Sequence, residues 1–508
     1  MGGKRSLMWG LSMPLEMRLP GTAALLTLLL AGCAVGPDFQ KPDAPAVSGY
    51  TRTKLTKTLA TTGVTGGDAQ TFVQVADLAG DWWTAFKSPV LNDLVAQALA
   101  NNSDLKAAQA TLRQAHENAI AQKGAFYPQL SGQFAASRQE QPAATLAPVP
   151  ANNSFDYNLF TPQLNISYAP DVFGLTRRTL ASYQAQADAA RYQLMATYTT
   201  LVNNVIAAAV GVASTQAEIE ATNKVIDTEK KSVSILQYQK DKGYASGLDL
   251  AQQTANLAAV QATLPPLVKQ KAMFSDQLAV LVGKFPVQQP DLNLKLADLT
   301  LPPDLPVSLP SALVNQRPDV MQAEANLHAA SAQIGIAVAN RLPNLTLSGN
   351  VGTSALALDQ LFLQGTQFWT IAGNLAAPIF DGGTLRHQEH AARAAFDASA
   401  AQYKSTVLGA FQNVADTLTA LDQDAVGLNA AAASDTAAKK SLDITQRQLE
   451  DGYNNPLGQL LAEQAYQQAE VTLLQAQAAR YTDTAALFQA LGGGWWNRND
   501  LTAEAKNG

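Results

Sequence analysis

The chain is poor in the residues that carry chemistry: one cysteine, Cys33, and four histidines in 508 residues. A lone thiol excludes an internal disulfide framework. His387 and His390 flank Glu389, but their i, i+3 spacing departs from the i, i+4 pair of an HExxH zinc helix, so they read as solvated helix residues. His116 and His328 stand singly on helical stretches. GYASG (243–247) lies in a helical turn rather than at the strand-to-helix elbow of a hydrolase. DGG (381–383) lacks the remainder of a phosphate loop. With no converging nucleophile, base or ligand set, the expectation is no enzyme, no cofactor and no metal. Basic blocks are missing as well, at a formal charge of −6, which argues against nucleic acid as a partner. Beyond the first 32 residues no segment strings together the 18 or more apolar residues of a membrane helix. The mature chain is then either soluble or crosses a membrane by strands, whose signal is weaker.

What is present begins just ahead of Cys33. Lys4, Arg5 and Arg18 precede a short apolar run, 19–31, that ends in small residues. That is a secretory signal over 1–32, because the run is too short to span roughly 30 Å of hydrocarbon. Leu30-Ala31-Gly32-Cys33 resembles a bacterial lipobox. The resemblance implies cleavage before Cys33 and its conversion to an S-diacylglycerol, N-palmitoyl cysteine. One acyl chain anchors only marginally, at about 0.8 kcal/mol per buried methylene, so several are needed for stable attachment. Residues 33–80, rich in Pro, Thr and Gly, read as an extended leader.

From Asp81 the chain is written twice. Asp104, Ala108, Leu112, Pro128 and Leu130 recur as Asp319, Ala323, Leu327, Pro343 and Leu345, a shift of 215. Gly243, Tyr244, Leu248 and Gly283 recur as Gly452, Tyr453, Leu457 and Gly492, a shift of 209. One loop therefore differs in length, and two copies make a duplication rather than a solenoid. The first repeat, 81–283, reads as helix, hairpin at about 129–169, long helix at 178–242 and helix at 248–283. A Pro-rich linker, 284–310, leads to the second repeat, 311–492, with a hairpin at 344–377, a long helix at 385–451 and a helix at 457–491. Residues 493–508 form a tail.

The long segments contain no proline and glycine only at 211, 409 and 427. Sixty-five helical residues extend about 100 Å, far more than a compact domain needs. Leu250, Leu257, Leu264, Leu267, Phe274, Leu278 and Leu281 are spaced like a coiled-coil seam, and Pro265-Pro266 is expected to kink or break that helix. Trp82-Trp83 and Trp495-Trp496 read as packing residues. In the hairpins, NLTLSGNV (344–351) and QLNISY (163–168) alternate apolar and polar with period two. A strand between lipid and water has that pattern, and so does a hairpin on a soluble core. Trp369 falls in a strand and reads as an interfacial belt residue or as core. Four strands cannot close a membrane barrel, which needs about eight. An open edge in lipid leaves backbone groups unsatisfied at several kcal/mol each. If these hairpins span a membrane, copies must share one barrel, and two, three or four copies would all close.

DWWTAFKSPVLNDLVAQALANNSDL (81–105), RPDVMQAEANLHAASAQIGIAVANRLPNLTLSG (317–349), APIFDGG (377–383) and ALGGGW (490–495) resemble the signatures of outer-membrane efflux lipoproteins, the NodT-like group of the TolC/OprM outer-membrane factors. CAVGPDFQKP is similar to that group's mature N-terminus. The resemblance implies an α+β membrane channel, a TolC-like homotrimer with a shared 12-stranded transmembrane β-barrel and a long periplasmic α-helical barrel. It places the chain in the Gram-negative outer membrane, lipid-anchored and reaching into the periplasm. Ala34 after the acylated cysteine fits that placement, since an aspartate there would favour retention in the inner membrane. Implied partners are two further copies, outer-membrane lipid, a periplasmic adaptor (membrane fusion) protein and an inner-membrane RND-type transporter. The implied function is passive export of small toxic compounds or drugs. A duct for type I protein secretion and a non-conducting coiled-coil envelope lipoprotein are the other readings. Related tunnels carry aspartates near the second helix tip, where this chain has Gly458 and Leu461. That leaves Asp249, Asn454 and Asn455 as polar candidates for a periplasmic gate and Tyr244 and Tyr453 as packing candidates, with ordinary turn chemistry as the alternative.

Overall fold

The computed structural model describes residues 34–74, 77–140, 156–289, 292–450 and 456–498. The signal, Cys33 and the gate candidates Tyr453, Asn454 and Asn455 lie outside the described residues. In chain order the elements are β1 (Thr71–Gln74), α1 (Pro89–Asn101), α2 (Ser103–Lys123), β2 (Gln129–Glu140), β3 (Asp156–Tyr168), α3 (Leu175–Asp241), α4 (Gly247–Leu281), β4 (Asp304–Val307), α5 (Pro310–Gln316), α6 (Pro318–Ala339), β5 (Asn344–Thr353), β6 (Gln367–Ala376), α7 (Thr384–Glu450) and α8 (Pro456–Ala490). Helix, hairpin, 67-residue helix and 35-residue helix recur in both halves.

Local chemistry sets the boundaries. Ser88 caps α1 by accepting from Leu91 N, and Pro89 supplies the first helical φ. α3 ends at Gly243 (φ 81°), after which Tyr244 N donates to Gln239 O at 2.8 Å. Ser246 and Asp249 then start α4 as a capping box. Pro265 and Pro266 do not break α4, contrary to the sequence expectation. Both are exposed, so the carbonyls that lose their donors stay open to water instead of being buried unpaired.

The chain forms two compact units. The larger comprises Phe39–Ala119, Tyr183–Ala330 and the chain from Ala395 onward. Its core gathers Trp82, Phe86, Tyr198, Ile206, Leu278, Leu313, Leu421 and Phe488, all nearly or fully buried. Trp82 lies 5.0 Å from the Phe488 ring, and Trp495 donates its indole N–H to Gln316 O at 2.8 Å. The tryptophan pairs are thus packing residues. One stretch of α3 is apolar enough for a membrane helix by length and composition, which corrects the sequence expectation, and 61% of it is buried in the protein. The leader is not merely extended. Its β1 forms a parallel pair with β4 from the linker, Thr71 opposite Asp304. Arg480 of α8, fully buried, donates to Asp68 O and Thr58 Oγ1 of the leader and to Leu421 O of α7.

The smaller unit comprises 34–38, Ile120–Ser182 and Ser331–Ala394. Here the start of the leader is held by Arg178 of α3, which donates to Val35 O (3.0 Å), Gly36 O (3.1 Å) and the Asp38 carboxylate (2.9 Å). Gly36 sits at φ 89°, and a Cβ there would come within 2.5 Å of the Gly335 backbone on α6. Gly36→Ala is expected to cost roughly 1–2 kcal/mol from the left-handed backbone alone, plus the clash. Gly63→Ala, at φ 76° with open space around it, carries the backbone term only. Thermal unfolding of the full chain separates the two, with the larger drop expected for Gly36→Ala.

Candidate functional site

β2, β3, β5 and β6 form one antiparallel sheet in that order. Where all four strands pair, its register sorts most side chains by polarity, with Phe368 as the large apolar exception on the polar face. Gly132, Leu164, Val351 and Trp369 make one cross-strand row, and Leu130, Ile166, Gly349 and Ile371 make the next row on the same face. Tyr168, Leu347, Leu345 and Leu375 extend that face along the strands. On the opposite face the rows read Ser131, Asn165, Asn350, Thr370 and Gln129, Ser167, Ser348, Ala372. Gln163 Nε2 donates to Gln133 Oε1 at 3.2 Å and to Asn165 Oδ1 at 3.0 Å, so the polar face carries its own hydrogen-bond ladder. A soluble core would bury one of these faces. Here the apolar one stays open, with Trp369 at 73% and Ile371 at 81% exposure. β5 and β6, at 10 residues each, match the 9–11 residues of a tilted strand crossing a bilayer.

Both edge strands, β2 and β6, lack a partner on their outer side among the described residues. In hydrocarbon those unpaired N–H and C=O groups would cost several kcal/mol each. The sheet has an even strand count with neighbours antiparallel throughout, so β6 of one copy placed beside β2 of another would pair with it in antiparallel sense. A ring of copies would therefore close without breaking the alternation.

Past β6, the Asp381 carboxylate accepts from Leu385 N and Gly383 N at 2.8 Å each and caps α7. Those backbone donors hold its carboxyl below the usual range. Glu389 is paired with Arg341 and Arg393, whose hydrogen bonds likewise lower its pKa. It is thereby committed to arginine. The His387 and His390 rings meet edge to face 5.9 Å apart, and no group of three or more metal-ligating side chains occurs among the described residues.

In the larger unit, the ends of α3, α4 and α8 are joined by polar rungs. Glu229 of α3 is fully buried and accepts from Asn256 Nδ2 (2.6 Å) and Gln253 Nε2 of α4. Gln464 of α8 donates to Asn256 Oδ1 at 2.7 Å, and Gln459 donates to Glu463 at 2.7 Å. A second rung joins Glu218 to Ser214 and Gln475. The leucine seam expected on α4 is buried at Leu278 but only half-buried at Leu250, Leu257 and Leu264, where Gln253, Asn256 and Val260 carry the burial instead. Sequence reasoning missed these residues because amides and glutamates on a long helix read as solvent-facing. Of the gate candidates described, Tyr244 is 84% exposed and Asp249 accepts from Ser246 N (3.0 Å) and Oγ (2.7 Å). Those bonds lower the Asp249 pKa and make it a helix cap.

The family model of outer membrane efflux proteins matches residues 94–284 and 309–493. The toluene efflux pump outer membrane protein TtgF of Pseudomonas putida is 29% identical over 489 residues, covering 95% of this chain and 98% of the relative. The pyoverdine export outer membrane protein OpmQ of Pseudomonas putida is 30% identical over 433 residues, 82% of this chain and 88% of the relative. In fold, the Campylobacter jejuni CmeC outer membrane channel superposes with a TM-score of 0.81 at 23% identity, covering 94% of this chain and 99% of CmeC. Two matched repeats, a two-faced hairpin sheet and paired long helices lead to one conclusion: the chain belongs to the outer membrane efflux protein family and has the fold of the TolC-like outer-membrane channels.

Proposed function

We propose that three copies of this chain pool their strands into a 12-stranded barrel and form the outer-membrane exit duct of a tripartite efflux pump. The observation that carries the reading is the sheet with one apolar face, one polar face and two open edges. The apolar rows face lipid, the polar rows line a water-filled passage, and neighbouring copies complete the edges. Trp369 is placed as a membrane-interface aromatic, and Cys33 as the acylated anchor in outer-membrane lipid. A periplasmic adaptor and an inner-membrane RND-type transporter supply energy and select the cargo, which consists of small toxic compounds. TtgF and OpmQ, named for toluene efflux and pyoverdine export, support export of small molecules. Tyr244 and Asp249 at the first helix tip, with Tyr453, Asn454 and Asn455 at the second, are the proposed gate.

The test pairs deletion with reconstitution. Deletion of the gene is expected to sensitise the host to solvents and antibiotics, and the purified protein to conduct ions across planar bilayers. A deletion strain with unchanged sensitivity, or purified protein that never conducts, contradicts the reading. Alanine at Asp249, Asn454 and Asn455 together is expected to raise conductance, and unchanged conductance removes the gate assignment alone.

A further inference from the structure

Glu229 and Glu463 face each other within hydrogen-bonding reach where α3, α4 and α8 meet. Glu229 lies twelve residues before the end of α3, about 18 Å along the helix axis. Both side chains are buried, Glu229 completely and Glu463 to 97%. Every amide around them that bonds to a carboxylate does so through nitrogen: Gln253 and Asn256 toward Glu229, Gln459 toward Glu463. Glu463 Oε2 is buried with no donor among the described residues, and the carboxyl it faces offers one only when protonated. On α3 the neighbouring charges, Asp227 and Lys230, pair with each other at the surface. Among the described residues α4 bonds Glu229 through the amides Gln253 and Asn256, and α8 presents Glu463 with Gln459 and Gln464. Glu463 is thus the charged group acting on Glu229.

We propose that Glu229 and Glu463 form a buried proton-binding site that clamps α3, α4 and α8 together near their tips. One proton shared between the carboxyls fills the vacant hydrogen bond and leaves a single negative charge for the amides to solvate. Its departure sets two buried negative charges against each other with no cation among the described residues to offset them, and the helices part. Burial, reinforced by Glu463, raises Glu229 to about 8. An acid raised by folding contributes most below its unfolded value and loses that contribution as pH climbs to the folded one. The clamp therefore holds in acid and weakens from mildly acidic pH up to about 8, above which it changes no further. The site does not depend on what the channel carries, so it stands or falls apart from the exporter reading.

Hydrogen exchange on the full-length assembly in detergent, corrected for the intrinsic pH dependence of amide exchange, tests the clamp. Peptides spanning 225–235 and 459–467 are expected to exchange faster by up to about tenfold per pH unit between pH 6 and 8, and to level off above. Glu229→Gln and Glu463→Gln, each leaving one carboxyl, are expected to flatten that dependence while peptides from the core around Tyr198 stay protected. Wild-type exchange that is flat from pH 6 to 9, or an equal rise in either variant, overturns the proposal.

Discussion

Leu347→Arg is expected to abolish assembled channel in the outer membrane, while Ser348→Arg leaves it close to the wild-type level. The two residues are adjacent on β5 and belong to opposite faces: Leu347 pairs with Tyr168 and Gly373, Ser348 with Ser167 and Ala372. An arginine on the lipid face near the bilayer midplane costs about 2–4 kcal/mol, and lumen positions tolerate charge. Repeated in three copies, the penalty is about 6–12 kcal/mol, comparable to the 5–15 kcal/mol that holds a whole protein folded. The quantity to measure is the amount of folded, oligomeric protein in outer-membrane fractions. Equal levels for the two variants would mean that the faces do not separate lipid from water.

Arg480→Ala is expected to release the leader and lower stability by about 3–5 kcal/mol, large for a single substitution. The guanidinium, fully buried, bonds Leu421 O at 2.8 Å, Asp68 O at 3.2 Å, Thr58 Oγ1 at 3.3 Å and Gly66 O at 3.4 Å. Truncation takes the guanidinium from Asp68 O and Gly66 O, at roughly 1–3 kcal/mol each if no water replaces it, while Thr58 Oγ1 keeps the Gln70 N–H as a donor at 2.9 Å. Burial also pulls the arginine's pKa below its usual value, and the Asp424 charge opposes that shift. Arg480→Lys keeps the charge but not the planar fork, so it should fall between wild type and alanine. Limited proteolysis between 56 and 74 and the thermal midpoint report the effect. A leader that stays protected in Arg480→Ala would show that the β1–β4 pair alone holds it.

The long helices were the most legible part of the sequence. Missing proline and scarce glycine placed them at 178–242 and 385–451, and they run Leu175–Asp241 and Thr384–Glu450. The hairpins announced themselves by period two, because a strand with unlike faces must alternate. β1 and β4 escaped notice for the opposite reason. TFVQ and DLPV are four residues each, too short for a periodic signal, and they pair in parallel across more than 200 residues of chain. The Pro265-Pro266 expectation failed because exposure, which no pattern reports, decides whether a lost helical bond matters. Glu229, Gln253, Asn256 and Glu463 were illegible one at a time. Each reads as a solvated side chain, and only long-range packing makes them partners.

Open strand edges that must be completed by other copies of the same chain are the centre of this account. Mass measurement of the detergent-solubilised protein, with the detergent contribution subtracted, tests it most directly. Three chain masses in a single species that conducts in bilayers is the predicted result. A monodisperse single chain, stable and non-conducting, would contradict it.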